Sequence, residues 1–96
     1  MNLSSDMEMV ADRVPVNTIV RIYYNKVIGL VIGYREERIS LGRGDTASTH
    51  NVTQVKIRDL NGREHFSWVG NLDIIEDKEI EDQFAPIMVM NRLSRR

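Results

Sequence analysis

Residues 52–68 read VTQVKIRDLNGREHFSW and carry the clearest secondary-structure signal of the chain. Apolar and polar residues alternate on both sides of Asn61-Gly62, and this dipeptide is a preferred centre for a two-residue type I′ turn. Two alternating stretches joined by such a turn predict a β-hairpin with one apolar face and one polar face.

A two-residue turn also fixes how the two strands of this hairpin are aligned. Both apolar pairs then fall on the same face, so Phe66 and Trp68 are expected in the core. The opposite face carries the basic side chains. The predicted cross-strand pairs are Ile57–Phe66 and Val55–Trp68 on the apolar face, and Lys56–Ser67 and Arg58–His65 on the polar face.

Two stretches before the hairpin are rich in β-branched and aromatic residues, as strands are. They cover residues 18–24 and 27–34. Gly29 and Gly33 lie inside the second stretch and predict a bulge or a strongly bent strand, as at the corner of a barrel. The charged residues that follow are interpreted as a turn or as the exposed end of a hairpin. Residues 42–51 contain Gly, Asp, Ser and Thr and no large apolar residue, which predicts a loop.

The two ends of the chain carry shorter patterns. Residues 6–14 predict one or two turns of helix, and residues 72–75 predict a short last strand. The very acidic residues 76–83 are interpreted as a short exposed helix or a loop. The apolar residues 84–90 predict an edge strand or a docked tail, because Pro86 argues against a helix through them.

The order of these elements resembles that of a small SH3-like barrel of the KOW or Tudor type. The resemblance rests on the Gly-x-Val-x-Gly pattern of residues 29–33 and on residues 68–75. There, an aromatic strand end, a tight turn and a short apolar strand are similar to the closing part of such barrels. The resemblance implies an all-β fold, with a five-stranded SH3-like barrel over residues 16–75. Residues 1–15 are then an N-terminal extension, and residues 76–96 an acidic segment with an apolar and basic C-terminal tail.

A second resemblance, which ranks below the first, is to Sm-like proteins. A short N-terminal helix is followed by residues 31–34 and later by residues 69–72, which are loosely similar to the Sm closing motif. This resemblance implies a ring that binds RNA. The long hairpin between the two stretches fits the spacing of Sm proteins poorly, so the SH3-like resemblance is preferred.

Composition and charge exclude several classes of protein. The 96 residues suffice for one domain, and 13 Lys and Arg against 14 Asp and Glu give a net charge of −1. This balance hides a basic segment over residues 13–63 and an acidic one over residues 64–82. No apolar stretch approaches the roughly 18 residues of a membrane span, and the N-terminus lacks the pattern of a signal peptide. We therefore expect a cytoplasmic protein without a membrane partner.

Few residues are suited to catalysis or to metal binding. The chain has no cysteine, and His50 and His65 are its only imidazoles. No third ligand stands near either histidine at a spacing typical of metal sites. Asp59 and Glu64 are expected to face each other beside the hairpin turn, where they are interpreted as surface charges rather than as an acid–base pair. We expect neither an enzyme nor a bound cofactor or metal.

The sequence favours a non-enzymatic protein-interaction module. Near-neutral charge, patches of both signs and an apolar tail are typical of small factors that bind and modulate a larger host protein, as phage proteins often do. The alternative is a KOW- or Sm-like nucleic-acid-binding protein that uses the basic segment. Exposed strand edges also allow a homodimer. The candidate partner-binding residues are basic or aromatic side chains expected on outward faces or near loop ends: Arg21, Tyr23, Tyr34, Arg35, Arg38, Arg43, Lys56, Arg58 and His65.

Overall fold

Two α-helices and five β-strands follow one another along residues 5–94, the part of the chain that this computed structural model describes. The elements are α1 Ser5–Arg13, β1 Ile19–Ile22, β2 Ile28–Leu41, β3 Ser48–Asp59, β4 Glu64–Ser67, β5 Leu72–Ile74 and α2 Lys78–Ser94. Short 3₁₀ turns precede β3 and β5. The N-terminal helix and the last strand confirm the sequence predictions. Residues 1–4 and 95–96 of the predicted extensions lie outside the described part.

The five strands form one open antiparallel sheet in the order β4-β3-β2-β1-β5. Each strand therefore pairs with its neighbour in sequence, except that β5 returns to pair with β1. The prediction of five strands is confirmed. The prediction of an all-β protein is wrong, because α1 and α2 pack on the sheet and contribute to its two apolar clusters.

The strand β2 contains a β-bulge between Val31 and Gly33, where its pairing with β3 shifts by one residue. The bulge lies within the glycine-containing stretch that predicted it. Gly29 has a different role, because a Cβ there would overlap the side chain of Ile57 and lie 2.9 Å from the carbonyl oxygen of Arg58. The close approach of β3 thus requires glycine at this position, whereas a Cβ on Gly33 would meet open space.

The hairpin of β3 and β4 is confirmed, but its predicted register is wrong by one residue. Its loop is longer than two residues, because the Asp59 N–H donates to the carbonyl oxygen of Arg63 at 3.0 Å. Gly62 adopts a φ of 82°, the left-handed conformation that follows a type I turn in three-residue hairpin loops. Oδ1 of Asp59 stabilises the loop by accepting hydrogen bonds from the N–H groups of Asn61 and Arg63, at 2.9 and 3.0 Å.

This shift of register moves the side chains of β4 to the opposite faces of the sheet. Phe66 lies beside Lys56, on the face opposite to that of Val55 and Ile57, and Trp68 is 39% exposed, so the prediction that both pack with these two residues in the core is wrong. Ser67 takes the buried position instead. The observed cross-strand pairs are Val55–Ser67, Lys56–Phe66, Ile57–His65 and Arg58–Glu64.

The two helices belong to different apolar clusters on opposite faces of the sheet. On the face that we call the α1 face, residues from α1 and the position after it pack against alternate residues of β1, β2 and β3: Val10, Val14, Val20, Ile22, Val31, Val55 and Ile57. On the other face, the α2 face, the fully buried ring of Phe84 packs with Ile19 and Leu30. Strand alternation explains the division, because successive residues of one strand point to opposite faces.

The helix α2 is the largest departure from the sequence prediction, which made residues 84–90 an edge strand or a docked tail. Ile80, Phe84, Ile87 and Met88 recur at helical spacing and pack together on the sheet. Asp77 caps the first turn, since its Oδ1 accepts hydrogen bonds from the N–H groups of the second and third helical residues, at 2.9 and 3.4 Å. The apolar periodicity therefore outweighs the proline in the same stretch.

Pro86 lies on the exposed side of α2. A proline inside a helix costs about 3 kcal/mol, because it lacks the N–H that would bond to the preceding turn. Burial of each large apolar side chain contributes about 1.5–3 kcal/mol, and α2 places several of them on the sheet. The helix is thus maintained by tertiary packing rather than by local propensity.

The strands β2 and β3 continue together past the ends of their neighbours. We call residues 35–41 of β2 and residues 48–54 of β3 the distal arm. The charged residues 35–38 are therefore not a turn, and they lie in the exposed end of the β2–β3 hairpin, the other predicted alternative. The predicted loop over residues 42–51 is correspondingly too long, because its last four residues already belong to β3. The arm helps to give the molecule its longest dimension of 52 Å.

Candidate functional site

Three of the candidate residues come together on the α2 face of β2 and β3. Arg58 opposes the buried Leu30, and Lys56 is two positions along the same strand and therefore on the same face. Arg35 of β2 opposes Gln54, which is two positions further along β3. We call Arg35, Lys56 and Arg58 the basic row. The row runs from the base of the distal arm towards the hairpin loop.

The first cation of the row is fixed in place by an aromatic ring. The Arg35 guanidinium carbon lies 3.5 Å from the centroid of the Phe66 ring, a short cation–π contact. The Nε of Arg35 donates a hydrogen bond to Oε1 of Gln54 at 2.8 Å. The guanidinium is thereby oriented, although the side chain stays exposed.

Glu64 neutralises part of the basic row. Its Oε1 accepts a hydrogen bond from Nη2 of Arg58 at 2.9 Å, and its Oε2 lies 3.4 Å from Nζ of Lys56. The pKa of the Glu64 carboxyl is lowered, chiefly because of the hydrogen bond from Arg58, with a smaller contribution from the charge of Lys56. Glu64 is therefore ionised at neutral pH, and the row keeps a reduced positive charge.

A cleft of about 350 Å³ opens where the basic row reaches the hairpin loop. It lies between this loop and α2, and its lining residues are Arg58, Leu60, Asn61, Gly62, Ile87 and Met90. Leu60 is 49% exposed and Met90 is 67% exposed. The Nε of Arg58 is buried without a hydrogen-bond partner. The cleft thus combines an apolar wall with a cationic side chain whose guanidinium is hydrogen-bonded to Glu64.

His65, a fourth candidate, does not belong to this surface. It opposes Ile57 on the α1 face, where its Nε2 donates to Oδ2 of Asp59 at 2.8 Å. The pKa of Asp59 is lowered, first because of this hydrogen bond and then because of the N–H groups of the loop. The expectation that Asp59 and Glu64 face each other is wrong, since the shifted register places Glu64 on the α2 face. The Asp59–His65 pair stabilises the hairpin loop.

The other candidates are dispersed over the molecule. Arg21 lies 3.9 Å from Asp73 of β5, and Tyr23 is exposed in the turn after β1 with the Lys26 ammonium 4.6 Å from its ring centroid. The hydroxyl of Tyr34 donates to the carbonyl oxygen of Val14 at 2.6 Å, so this half-buried side chain joins the sheet to the end of α1. The two remaining candidates, Arg38 and Arg43, lie on the distal arm and in its loop.

Sequence reasoning missed the residues that make the basic row into a surface. Phe66 and Glu64 were placed on the wrong faces by the assumption of a two-residue turn, although Asp59 before Asn61-Gly62 is also typical of a type I turn with a glycine bulge. Met90 and Ile87 were missed because the helix α2 was not predicted. The spacing of Ile80, Phe84 and Ile87 was the signal that could have found it.

General features of the described part do not assign a function. Within residues 5–94, no helix is long and apolar enough to cross a membrane, and no group of three His, Asp or Glu side chains could hold a metal ion. Comparisons with protein-family models, with curated proteins and with solved structures found no match to this chain. Function is therefore inferred from the surface just described.

Proposed function

We propose that the chain is a non-enzymatic protein-interaction module, a small factor that binds and modulates a larger protein. The observation that carries this proposal is the cleft between α2 and the hairpin loop, where Leu60 and Met90 are exposed beside Arg58. Exposed large apolar side chains that line one concave surface are typical of binding sites.

The chemistry of the cleft indicates what kind of segment it binds. Met90 is flexible and polarisable, so it can adapt to apolar side chains of different shapes. Arg58 at one side of the cleft and Lys56 next to it attract carboxylates. The occupant that fits best is therefore a segment of a partner protein in which an apolar side chain is followed by acidic residues.

We also propose that the five strands follow the topology of a small SH3-like barrel, in an open form in which β4 and β5 are the two edges of the sheet. The pairing of β1 with both β2 and β5 supports this assignment, as does the bulge in the long strand β2. The 3₁₀ turn Val69–Asn71 between β4 and β5 corresponds to the single tight turn expected before the closing strand. In this arrangement the binding cleft lies at the β3–β4 loop, and α2 is an addition to the barrel.

Binding of single-stranded nucleic acid is the second candidate function. The Arg35–Phe66 stack in line with Lys56 and Arg58 favours it, because such proteins combine basic grooves with aromatic rings. Against it, Glu64 neutralises part of the row, and the Phe66 ring is already covered by a guanidinium. We therefore rank it below protein binding.

Selection of peptides on the immobilised full chain tests the proposal. From a random-peptide library, we expect enrichment of sequences that combine apolar and acidic residues. The substitution Met90→Asp should abolish the binding of selected peptides, whereas Val89→Asp, at an adjacent exposed position that does not line the cleft, should retain it. Equal retention by both variants contradicts the proposal.

A titration with single-stranded RNA and DNA separates the two candidate functions. Protein binding in the cleft predicts no measurable nucleic-acid affinity at moderate salt. Affinity that falls steeply with salt, and that Met90→Asp leaves unchanged, supports the nucleic-acid function instead.

A further inference from the structure

We propose that two copies of the chain pair through the free edge of β3 in the distal arm, antiparallel and across a two-fold axis at His50. This inference is independent of the cleft, because it uses the other end of β3. Its starting point is that β4 pairs with β3 only from Val55 to Arg58. Within residues 5–94, no other strand pairs with residues 48–53 of β3 on the side where β4 lies.

The backbone groups that this edge presents follow from two hydrogen bonds. The N–H of Asp59 donates to Arg63 in the hairpin, so it points to the β4 side of β3. Thr53 lies six positions before Asp59 on the same strand, so its N–H points to the same side, where it donates to Oδ2 of Asp6 at 2.8 Å. By the same alternation, Thr49 and Asn51 direct their N–H and C=O groups to the free edge.

The contact between Asp6 and Thr53 sets the length of the available edge. Because the Asp6 carboxylate already accepts the hydrogen bond of Thr53, an added strand can pair only with residues 48–52. An antiparallel copy centred on this segment places His50 opposite His50 of the partner subunit. Thr49 then opposes Asn51 of the partner subunit, and each such pair exchanges two backbone hydrogen bonds.

The charges of the arm indicate a second copy as the occupant. Residues 35–38 on the β2 strand of the arm read Arg-Glu-Glu-Arg, and such charges are a common protection of strand edges against pairing. Residues 48–53 read Ser-Thr-His-Asn-Val-Thr and contain no Asp, Glu, Lys or Arg. Symmetric pairing places two identical segments side by side, so like charges would repel each other across a charged edge. The segment 48–53 carries no such charges, and this edge therefore permits the pairing.

Pairing also stabilises an arm that is weak on its own. A two-stranded ribbon is marginally stable in water, whereas three or more strands with an apolar face are more stable. On the α2 face of the arm, Ile39 opposes His50 and Leu41 opposes Ser48, and Leu41 is 53% exposed. Two joined arms make a four-stranded ribbon whose α2 face carries Ile39, Leu41 and Val52 of both copies around the central pair of His50 side chains.

Single cysteines test the proposed register, because the chain has no cysteine of its own. Residues opposed at a two-fold axis in a non-hydrogen-bonded pair have Cα atoms about 4.5 Å apart, within the range of a disulfide. In the proposed register, position 48 is displaced from position 48 of the partner subunit by four residues, or about 13 Å along the strand. The variant H50C should therefore form a disulfide-linked dimer at least ten times faster than S48C under mild oxidation.

Two further measurements complete the test. Sedimentation equilibrium of the unmodified full chain should give a reversible monomer–dimer equilibrium. An equimolar mixture of S48C and V52C, which oppose each other in the proposed register, should cross-link faster than either variant alone. Unmodified protein that stays monomeric up to millimolar concentration overturns the proposal, as does H50C that cross-links no faster than S48C. Binding of a foreign extended peptide to a monomeric arm assigns the edge to another partner and also overturns it.

Discussion

Oδ2 of Asp59 accepts a hydrogen bond from Nε2 of His65 at 2.8 Å, while Oδ1 of the same carboxylate accepts two N–H groups of the hairpin loop. One carboxylate thus holds both the loop and the first residues of β4. Because the register of this hairpin determines which side chains lie on the α2 face, Asp59 also fixes the composition of the basic row.

Replacement of Asp59 should destabilise the protein. Hydrogen bonds to a charged group contribute about 1.5–3 kcal/mol each, but loss of this exposed loop's bonds is partly compensated by water. We expect Asp59→Ala to lower the free energy of unfolding by about 1.5–3 kcal/mol in urea titrations. Asp45→Ala, in the exposed β2–β3 loop, is the control and should change it by less than about 0.5 kcal/mol. Equal effects of the two variants contradict the role assigned to Asp59.

The lowered pKa of Asp59 predicts acid sensitivity. A carboxyl whose pKa is lower in the folded state than its value of 3.8 in the unfolded chain contributes stability above that pH. This contribution is lost as the pH falls through the folded-state value. The free energy of unfolding should therefore decrease below about pH 4, and less steeply in Asp59→Asn than in the unmodified protein. Urea titrations between pH 2.5 and 7 measure the two slopes.

The two glycines of β2 should respond in opposite ways to a methyl group. Gly29→Ala forces a Cβ against Ile57 and the backbone of β3, and overpacking of this kind costs about 1–3 kcal/mol. Gly33→Ala meets open space and should be neutral or slightly stabilising. Thermal unfolding of the two variants side by side checks the difference. Similar losses in both would show that the bulge, and not the contact with β3, requires glycine.

The sequence predicted those elements whose signal is local. Alternation in β3 and the Asn61-Gly62 turn were sufficient for the hairpin, and the paired glycines for a bulge in β2. The register was missed because Asn-Gly serves both two-residue and three-residue loops, and the local signal for the longer loop was Asp59, whose Oδ1 accepts the N–H groups of Asn61 and Arg63. The helix α2 was missed because a proline is a local signal, whereas the burial of Phe84 depends on the sheet beneath it. Both errors affected the candidate site, because the wrong register placed Phe66 and Glu64 on the wrong faces and the missing helix left out Ile87 and Met90.

Removal of the proline from α2 should stabilise the protein. Pro86 is exposed and lacks the N–H that continues the helical hydrogen bonding, so Pro86→Ala restores a backbone donor without removing a core contact. We expect the free energy of unfolding to rise by about 1–3 kcal/mol, and helical circular dichroism to be at least maintained. Phe84→Ala, in contrast, should lower it by about 3–5 kcal/mol. A loss of stability in Pro86→Ala would indicate that the proline sets a bend that the packing of α2 requires.

Neutralising Glu64 should strengthen the binding of acidic peptides. Glu64 competes with any bound carboxylate, because it already occupies Arg58 at 2.9 Å and Lys56 at 3.4 Å. In Glu64→Gln the two cations are released towards the cleft, and we expect the affinity for the selected peptides to rise about two- to ten-fold, measured by fluorescence anisotropy at low salt. Glu37→Gln makes the same change of net charge on the distal arm and should leave the affinity within about two-fold. A gain of equal size in both variants would assign the effect to overall charge, whereas a loss in Glu64→Gln would show that peptides need the row ordered by this carboxylate.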